Sequence, residues 1–257
     1  MATIGVFDSG VGGLSVLREI LKVLPGERYV YFSDNAHCPY GEKTAAYICE
    51  RGREICRLLL SRGADIIVVA CNTATAAAIS TLRAEFPVKF IGMEPAVKPA
   101  ALGTRSGVIG VLATAGTLRA SKYLTTKGLY EDNVKIVEHV GQGFVELVES
   151  GDLSGAHAES VVRESLVPLL DEGADTIVLG CTHYPFLIDL ISKVAREECP
   201  GRTVRIIDPA PAVARQLVNV ISAEGIHLDN APKADVTLLA SGPDEALRRT
   251  FKLYLHE

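Results

Sequence analysis

The chain lacks the features that would assign it to a membrane, a nucleic acid or a common cofactor. It has no basic run, and its net charge of -5 comes from interspersed charges of both signs. That excludes the electrostatic footprint of a nucleic-acid or anionic-membrane binder. The N-terminus reads Met-Ala-Thr-Ile-Gly-Val-Phe-Asp, with Asp8 where an export signal would be apolar. Apolar runs such as 66–70 are strand-length and too short to span a bilayer. The expectation is a cytoplasmic protein with neither membrane nor nucleic acid as partner. Its six cysteines, at 38, 49, 56, 71, 181 and 199, include no C-x-x-C pair. A zinc site therefore has no spacing signal, and a reducing compartment would oppose disulfides. The segment Asp8-Ser9-Gly10-Val11-Gly12-Gly13 is neither G-x-G-x-x-G nor a P-loop. No lysine motif for pyridoxal phosphate is evident. Neither a metal nor an organic cofactor is expected.

What the chain does have is alternation. Short runs rich in Val and Ile at 4–7, 29–32, 66–70, 90–93, 108–112, 134–137, 176–179, 204–207 and 236–239 read as buried strands. Helical patterns lie between them, the clearest carrying Leu14, Leu17, Leu21 and Leu24 before Pro25-Gly26. This predicts an α/β fold with mostly parallel sheets, whose ligands bind at the carboxyl ends of strands. An internal echo sharpens the expectation. Gly63-Ala64-Asp65-Ile66-Ile67-Val68-Val69-Ala70-Cys71 returns 110 residues later as Gly173-Ala174-Asp175-Thr176-Ile177-Val178-Leu179-Gly180-Cys181. The run 4–9 returns 105 residues later at 109–114. Two echoes in the same order predict two similar lobes, 1–97 plus 209–257 and 98–208. The plain alternative is that any two buried strands after a Gly-Ala-Asp turn look alike. The tail, read as a helix at 209–224, a strand at 235–241 and a helix at 244–255, is too short for a third domain.

Both echoed cysteines fall at predicted strand ends, before Asn72-Thr73 and Thr182-His183, residues suited to opening a helix. A helix start offers free N–H groups that favour a thiolate and bind carboxylates. Cys49, Cys56 and Cys199 lie in helical stretches or near a helix end and read as small core residues. Asp8 could face a substrate ammonium, or it could simply cap the next helix. Tyr40, between Pro39 and Gly41, reads as an exposed turn residue, and on composition alone only as loop. Thr114-Ala115-Gly116-Thr117 offers hydroxyls and N–H groups to a carboxylate.

Taken together, Asp8–Gly13, Pro39-Tyr40-Gly41, Ala70-Cys71-Asn72-Thr73-Ala74, Ala113-Thr114-Ala115-Gly116-Thr117 and Gly180-Cys181-Thr182-His183-Tyr184-Pro185 resemble the glutamate racemase family, within the aspartate/glutamate racemase superfamily. The resemblance covers nearly the whole chain. It implies a two-lobed fold with the active site between the lobes, glutamate as the small-molecule substrate, no cofactor, and a role in supplying D-glutamate for peptidoglycan. It also implies that Cys71 and Cys181 are the catalytic acid/base pair. Asp8, Ser9, Tyr40, Gly41, Asn72, Thr73, Thr182 and His183 would contact substrate or sit beside the thiols, with Asp8 and His183 assisting proton transfer. Thr114 and Thr117 would help bind carboxylate, and Glu149 would support His183. Many family members carry Arg where this chain has His37. Oligomeric state is not written in these features, and a homodimer stays open.

Racemisation removes the Cα proton from one face and returns one to the other. Two groups must serve as base and acid and exchange roles with the substrate's hand. A thiol suits both, since its reference pKa of about 8.5 lies near neutrality. Alternatives on the same fold are an aspartate or hydantoin racemase, another isomerase or a decarboxylase. A thiol hydrolase using Cys181 and His183 leaves Cys71 unexplained, and a two-lobed binding protein would show no turnover.

Overall fold

The computed structural model describes residues 2–229, 231 and 233–255. The chain forms two compact units, Met1–Met93 with Ala210–Glu257, and Glu94–Pro209. In chain order the first unit supplies β1 (Thr3–Asp8), α1 (Leu14–Val23), β2 (Arg28–Ser33), α2 (Ala45–Ser61), β3 (Ile66–Val69), α3 (Asn72–Glu85) and β4 (Lys89–Ile91). The second comprises α4 (Val97–Gly103), β5 (Val108–Ala113), α5 (Ala115–Leu118), α6 (Ser121–Gly128), β6 (Lys135–Val140), α7 (Phe144–Ser150), α8 (Ala156–Asp171), β7 (Thr176–Gly180), α9 (Ile188–Glu198) and β8 (Arg205–Ile207). The tail, α10 (Ala210–Ala223), β9 (Asp235–Ala240) and α11 (Glu245–Leu255), belongs to the first unit, where β9 pairs with β2. Short 3-10 turns occupy Asn35–His37, Tyr40–Glu42 and Tyr184–Leu187.

Every strand pairing is parallel, in the orders β4-β3-β1-β2-β9 and β6-β5-β7-β8. The strands read as continuous apolar runs because both faces are covered. In the first unit Phe7, Val30, Phe32, Ile67 and Val69 pack with Ile48, Ile55 and Leu59 of α2 and with Ala74, Ala78 and Leu82 of α3. The alternate residues Ile4, Val6, Tyr29, Tyr31, Ile66 and Val68 are buried too, on the face where α1 packs with α10 and α11. In the second unit Ile109, Val111, Ala113 and Val178 pack with Val97, Ala100 and Tyr123, while α8 and α9 pair on the other face. Burying each such aliphatic side chain is worth about 1.5–3 kcal/mol. Among the described residues no helix is long and apolar enough to cross a membrane.

The echo in the sequence is an equivalence of position. Strands β2-β1-β3-β4 of one sheet correspond in order to β6-β5-β7-β8 of the other. The registers agree as well: Ile4 pairs with Ile66 and Gly5 with Ile67, as Ile109 pairs with Thr176 and Gly110 with Ile177. The repeated Gly-Ala-Asp has a local cause. Gly63 and Gly173 adopt φ of 85° and 91°, turning the chain out of α2 and α8 through left-handed geometry that favours glycine. The aspartates then tie down neighbouring backbone: Asp65 accepts from the N–H of Thr3 at the start of β1, and Asp175 from those of Arg105 and Ser106 in the loop before β5.

Candidate active site

In the first unit the expected residues gather at the carboxyl ends of β1 and β3. Asp8 closes β1 and is fully buried; its carboxylate accepts from Ser9 N at 2.7 Å and Gly13 N at 2.6 Å. It thus stands at the start of α1, where a negative charge is favoured. Gly13 has φ -62°, so room and not backbone freedom explains it. A Cβ there would lie 2.8 Å from Asp8 Cβ and 2.9 Å from Tyr31 Oη. Tyr31 in turn donates to Gly10 O and fixes the loop.

Phe7 pairs with Val69, so Ser9 and Cys71 leave neighbouring strand ends two residues on. The Cys71 sulfur lies 4.0 Å from Ser9 Oγ. Cys71 is itself the N-cap of α3, its Sγ accepting from Ala74 N at 3.5 Å. Asn72 and Thr73 therefore form the first turn and are not the cap. Both are buried, and both polar atoms of the Asn72 side chain are buried without a hydrogen-bond partner. Ser33 Oγ at the end of β2 is in the same state.

Tyr40 corrects an expectation. It is not an exposed turn residue; it is 1% exposed, opens the 3-10 turn that also holds buried Gly41, and packs in the same core as Cys71. What pulls it in is distant in sequence. Its hydroxyl donates to Asp34 Oδ2, and Arg51 binds the same carboxylate through Nε at 2.9 Å and Nη2 at 2.7 Å. Burial raises the cost of ionising Asp34, but the Arg51 and Tyr40 hydrogen bonds and the Arg51 charge hold it below the usual carboxylate range. Burial and the Asp34 charge keep the Tyr40 phenol protonated. Sequence reading did not single out Asp34 or Arg51, for no spacing rule connects them. His37 is half-buried and pairs through Nδ1 with the Tyr47 hydroxyl.

In the second unit Ala113 pairs with Gly180, so Thr114 and Cys181 likewise leave neighbouring strand ends. Thr114 caps α5, accepting from Thr117 N at 3.3 Å and donating to Thr117 Oγ1 at 3.0 Å. The segment after Cys181 departs from expectation. Thr182-His183 does not open an α-helix; a turn leads into the 3-10 segment Tyr184–Leu187, and α9 begins only at Ile188. Tyr184 N reaches back to Cys181 O and Phe186 N to His183 O, which are i,i+3 bonds. The Tyr184 ring accounts for this. It is fully buried against Phe144, with ring centroids 4.8 Å apart, and its hydroxyl donates to Gly141 O.

That turn brings His183 beside the sulfur. Cys181 Sγ lies 3.7 Å from His183 Nδ1, and His183 Nε2 lies 2.7 Å from Glu149 Oε1, on the last turn of α7. Thr182 and His183 are each 2% exposed. Burial opposes a charged imidazole, yet the hydrogen bonds to Cys181 and Glu149 together raise the His183 pKa well above its ordinary value. Cys56, by contrast, has its thiol pushed up to about 12 by burial and reads as core.

Paired strand-end cysteines on a duplicated parallel α/β unit are matched by a known class. The family described as Asp/Glu/hydantoin racemase matches residues 4–217, and the chain belongs to that family. Particular relatives share nearly its full length. It is 50% identical over 247 residues, 96% of this chain and 89% of the relative, to the glutamate racemase of Methylococcus capsulatus. Among solved structures it is similar to glutamate racemase isoform RacE1 from Bacillus anthracis, with TM-score 0.85, 32% identity and coverage of 100% and 94% of the two chains. It is also similar to Escherichia coli glutamate racemase in complex with L-glutamate and the activator UDP-MurNAc-Ala, with TM-score 0.84, 33% identity and coverage of 98% and 95%.

Proposed function

We propose that this enzyme interconverts L- and D-glutamate without a cofactor, supplying D-glutamate for peptidoglycan, with Cys71 and Cys181 as the acid/base pair acting on opposite faces of one Cα. The observation that carries the reading is the register equivalence of β1–β3 and β5–β7, which ends two corresponding strands in a cysteine with a hydroxyl residue, Ser9 or Thr114, on the adjacent strand. The names of its relatives support glutamate.

In this reading one sulfur takes the Cα proton as a thiolate while the other delivers a proton as a thiol. The α-carboxylate takes up the charge. Ser9, Asn72, Thr73, Thr114, Thr117 and Thr182 supply hydroxyl, amide and backbone donors to the substrate's carboxylates, each such donor worth about 3 kcal/mol in the transition state. The unpartnered amide of buried Asn72 suits that task. Asp8 assists at the Cys71 side. At the Cys181 side His183, oriented by Glu149, stabilises the thiolate form. Tyr40 and Gly41 complete the binding surface. Six cysteines free of disulfides fit the cytoplasm as the compartment, and we carry a homodimer as a working assembly.

Purified protein incubated with each enantiomer of glutamate, with chelator and no added cofactor, should lose optical activity from both sides to zero. Turnover of aspartate in preference to glutamate, or no turnover of either, would overturn the substrate assignment. The Cys181–His183–Glu149 array also suits a thiol hydrolase, in which Cys181 would form an acyl-thioester. Mass spectrometry of quenched reactions with γ-glutamyl amides separates the two; the racemase reading expects no acyl adduct.

A further inference from the structure

Thr75 is a residue that the reaction scheme does not use. It lies one turn into α3, is fully buried, and its backbone N–H donates to Cys71 O at 2.9 Å. Its side chain does something unusual for a threonine inside a helix. Oγ1 donates to Val69 O at 3.2 Å and accepts from Met93 N at 3.1 Å. Val69 is the last residue of β3, and Met93 follows β4 by two residues. The β3–β4 register runs Ile66 with Lys89, Ile67 with Phe90 and Val68 with Ile91. Continued one step, it would set Met93 N directly on Val69 O, as the next rung of a parallel ladder. The Thr75 hydroxyl stands in that rung. It satisfies both backbone groups, which would otherwise be buried and unmet, and splays the two strands where α3 enters. Gly92 makes the space: a Cβ there would lie 2.7 Å from Thr75 Cγ2.

The second unit lacks this device. Four residues after Cys181 stands Pro185, which offers no hydroxyl, and α9 begins three residues later. Insertion of a hydroxyl into the sheet therefore goes with the strand-end cysteine that N-caps an α-helix directly. We propose that Thr75 is a positioning residue for Cys71, pinning the first turn of α3 to the ends of β3 and β4 so that the Cys71 sulfur is held in its capping position. This rests on the reading of Cys71 as an acid/base group. Thr75 touches no reacting atom and acts through the backbone on either side of Cys71.

The test compares Thr75→Val, which keeps the shape and removes the hydroxyl, with Thr75→Ser, which keeps the hydroxyl. Glutamate racemisation is measured on the folded fraction, and the rates at which iodoacetamide labels Cys71 and Cys181 are followed by peptide mass spectrometry in the same samples. Thr75→Val should lower kcat about tenfold or more, since small displacements of a reacting group are costly, with KM changed less than about twofold. Its Cys71 labelling rate should change while that of Cys181 stays native, and Thr75→Ser should restore both. Native kcat and native labelling in folded Thr75→Val would overturn the proposal and leave Thr75 a purely structural residue. If Thr75→Val does not fold, Thr75→Ala set against Thr75→Ser carries the same comparison, with the same expected loss and the same overturning result. If the native enzyme turned over no glutamate, the Proposed function would fail, while the labelling contrast would still decide whether Thr75 places Cys71.

Discussion

The two strand-end cysteines occupy equivalent places in equivalent sheets, yet they are served by different physics. Cys71 caps a helix directly, so its sulfur meets a peptide N–H and the fixed dipoles of α3, with Ser9 Oγ 4.0 Å away. Cys181 ends on a turn and faces an imidazole backed by a carboxylate. The duplicated framework fixes where each sulfur lies, and the three or four residues after it fix how its charge is managed. Peptide dipoles do not titrate near neutrality, whereas a histidine does. A pH dependence carried by His183 should therefore enter at the Cys181 side.

The comparison breaks most completely at the sulfurs themselves. Cys71→Ala and Cys181→Ala should each lower racemisation by about 10⁴-fold or more, the upper range of a single acid/base group, measured by loss of circular dichroism. If one variant kept substantial activity, the two positions would not be functional equivalents. The next contrast is sharper. Glu149→Gln should lower kcat by about 10²-fold and move the alkaline limb of the rate profile to lower pH, since the Glu149 hydrogen bond and charge help to raise the His183 pKa. His183 is held above 6.5, so its stabilisation is complete below about pH 6.5 and is lost as pH rises through its folded value. An unmoved limb in Glu149→Gln would remove His183 as the titrating group.

Smaller effects probe the Cys71 side as structure. Arg51→Met leaves the fully buried Asp34 carboxylate without its cation and should destabilise the protein by about 3–5 kcal/mol in urea melts near neutrality. Because Asp34 is held below 3.8, its contribution is present above about pH 4 and disappears as pH falls through its folded value, so the difference from native protein should shrink in acid. Gly13→Ala must displace Asp8 or Tyr31 and should cost about 1–3 kcal/mol, with a larger loss of activity than an equally destabilising change in the second unit.

Much of this was visible in the residues because it follows from local rules. Strands covered on both faces read as Val/Ile runs, and the nine expected strands all have counterparts. The poorest boundary was β6, whose exposed Lys135 and half-buried Ile136-Val137-Glu138-His139-Val140 break the apolar run. Cys71 and Cys181 could be found because the echo carried them to matched strand ends. Three things could not be read locally. Tyr40 looks like loop because the groups that bury it, Asp34 and Arg51, are tied to it only through space. The segment after Cys181 has helix-opening residues, but the buried Tyr184 ring and its contact with Phe144 hold it as a 3-10 turn. Thr75 looks like any helical threonine, since the rung it fills lies between two other strands.

The most direct test of the central claim is to run the reaction in deuterium oxide and analyse product and unreacted substrate early, from each enantiomer separately. Two monoprotic thiols acting on opposite faces predict product carrying deuterium at Cα while the remaining substrate keeps its protium, in both directions. Product that retains protium, or deuterium entering the unreacted substrate as fast as the product, would contradict the account, because a single group would then be both removing and returning the proton.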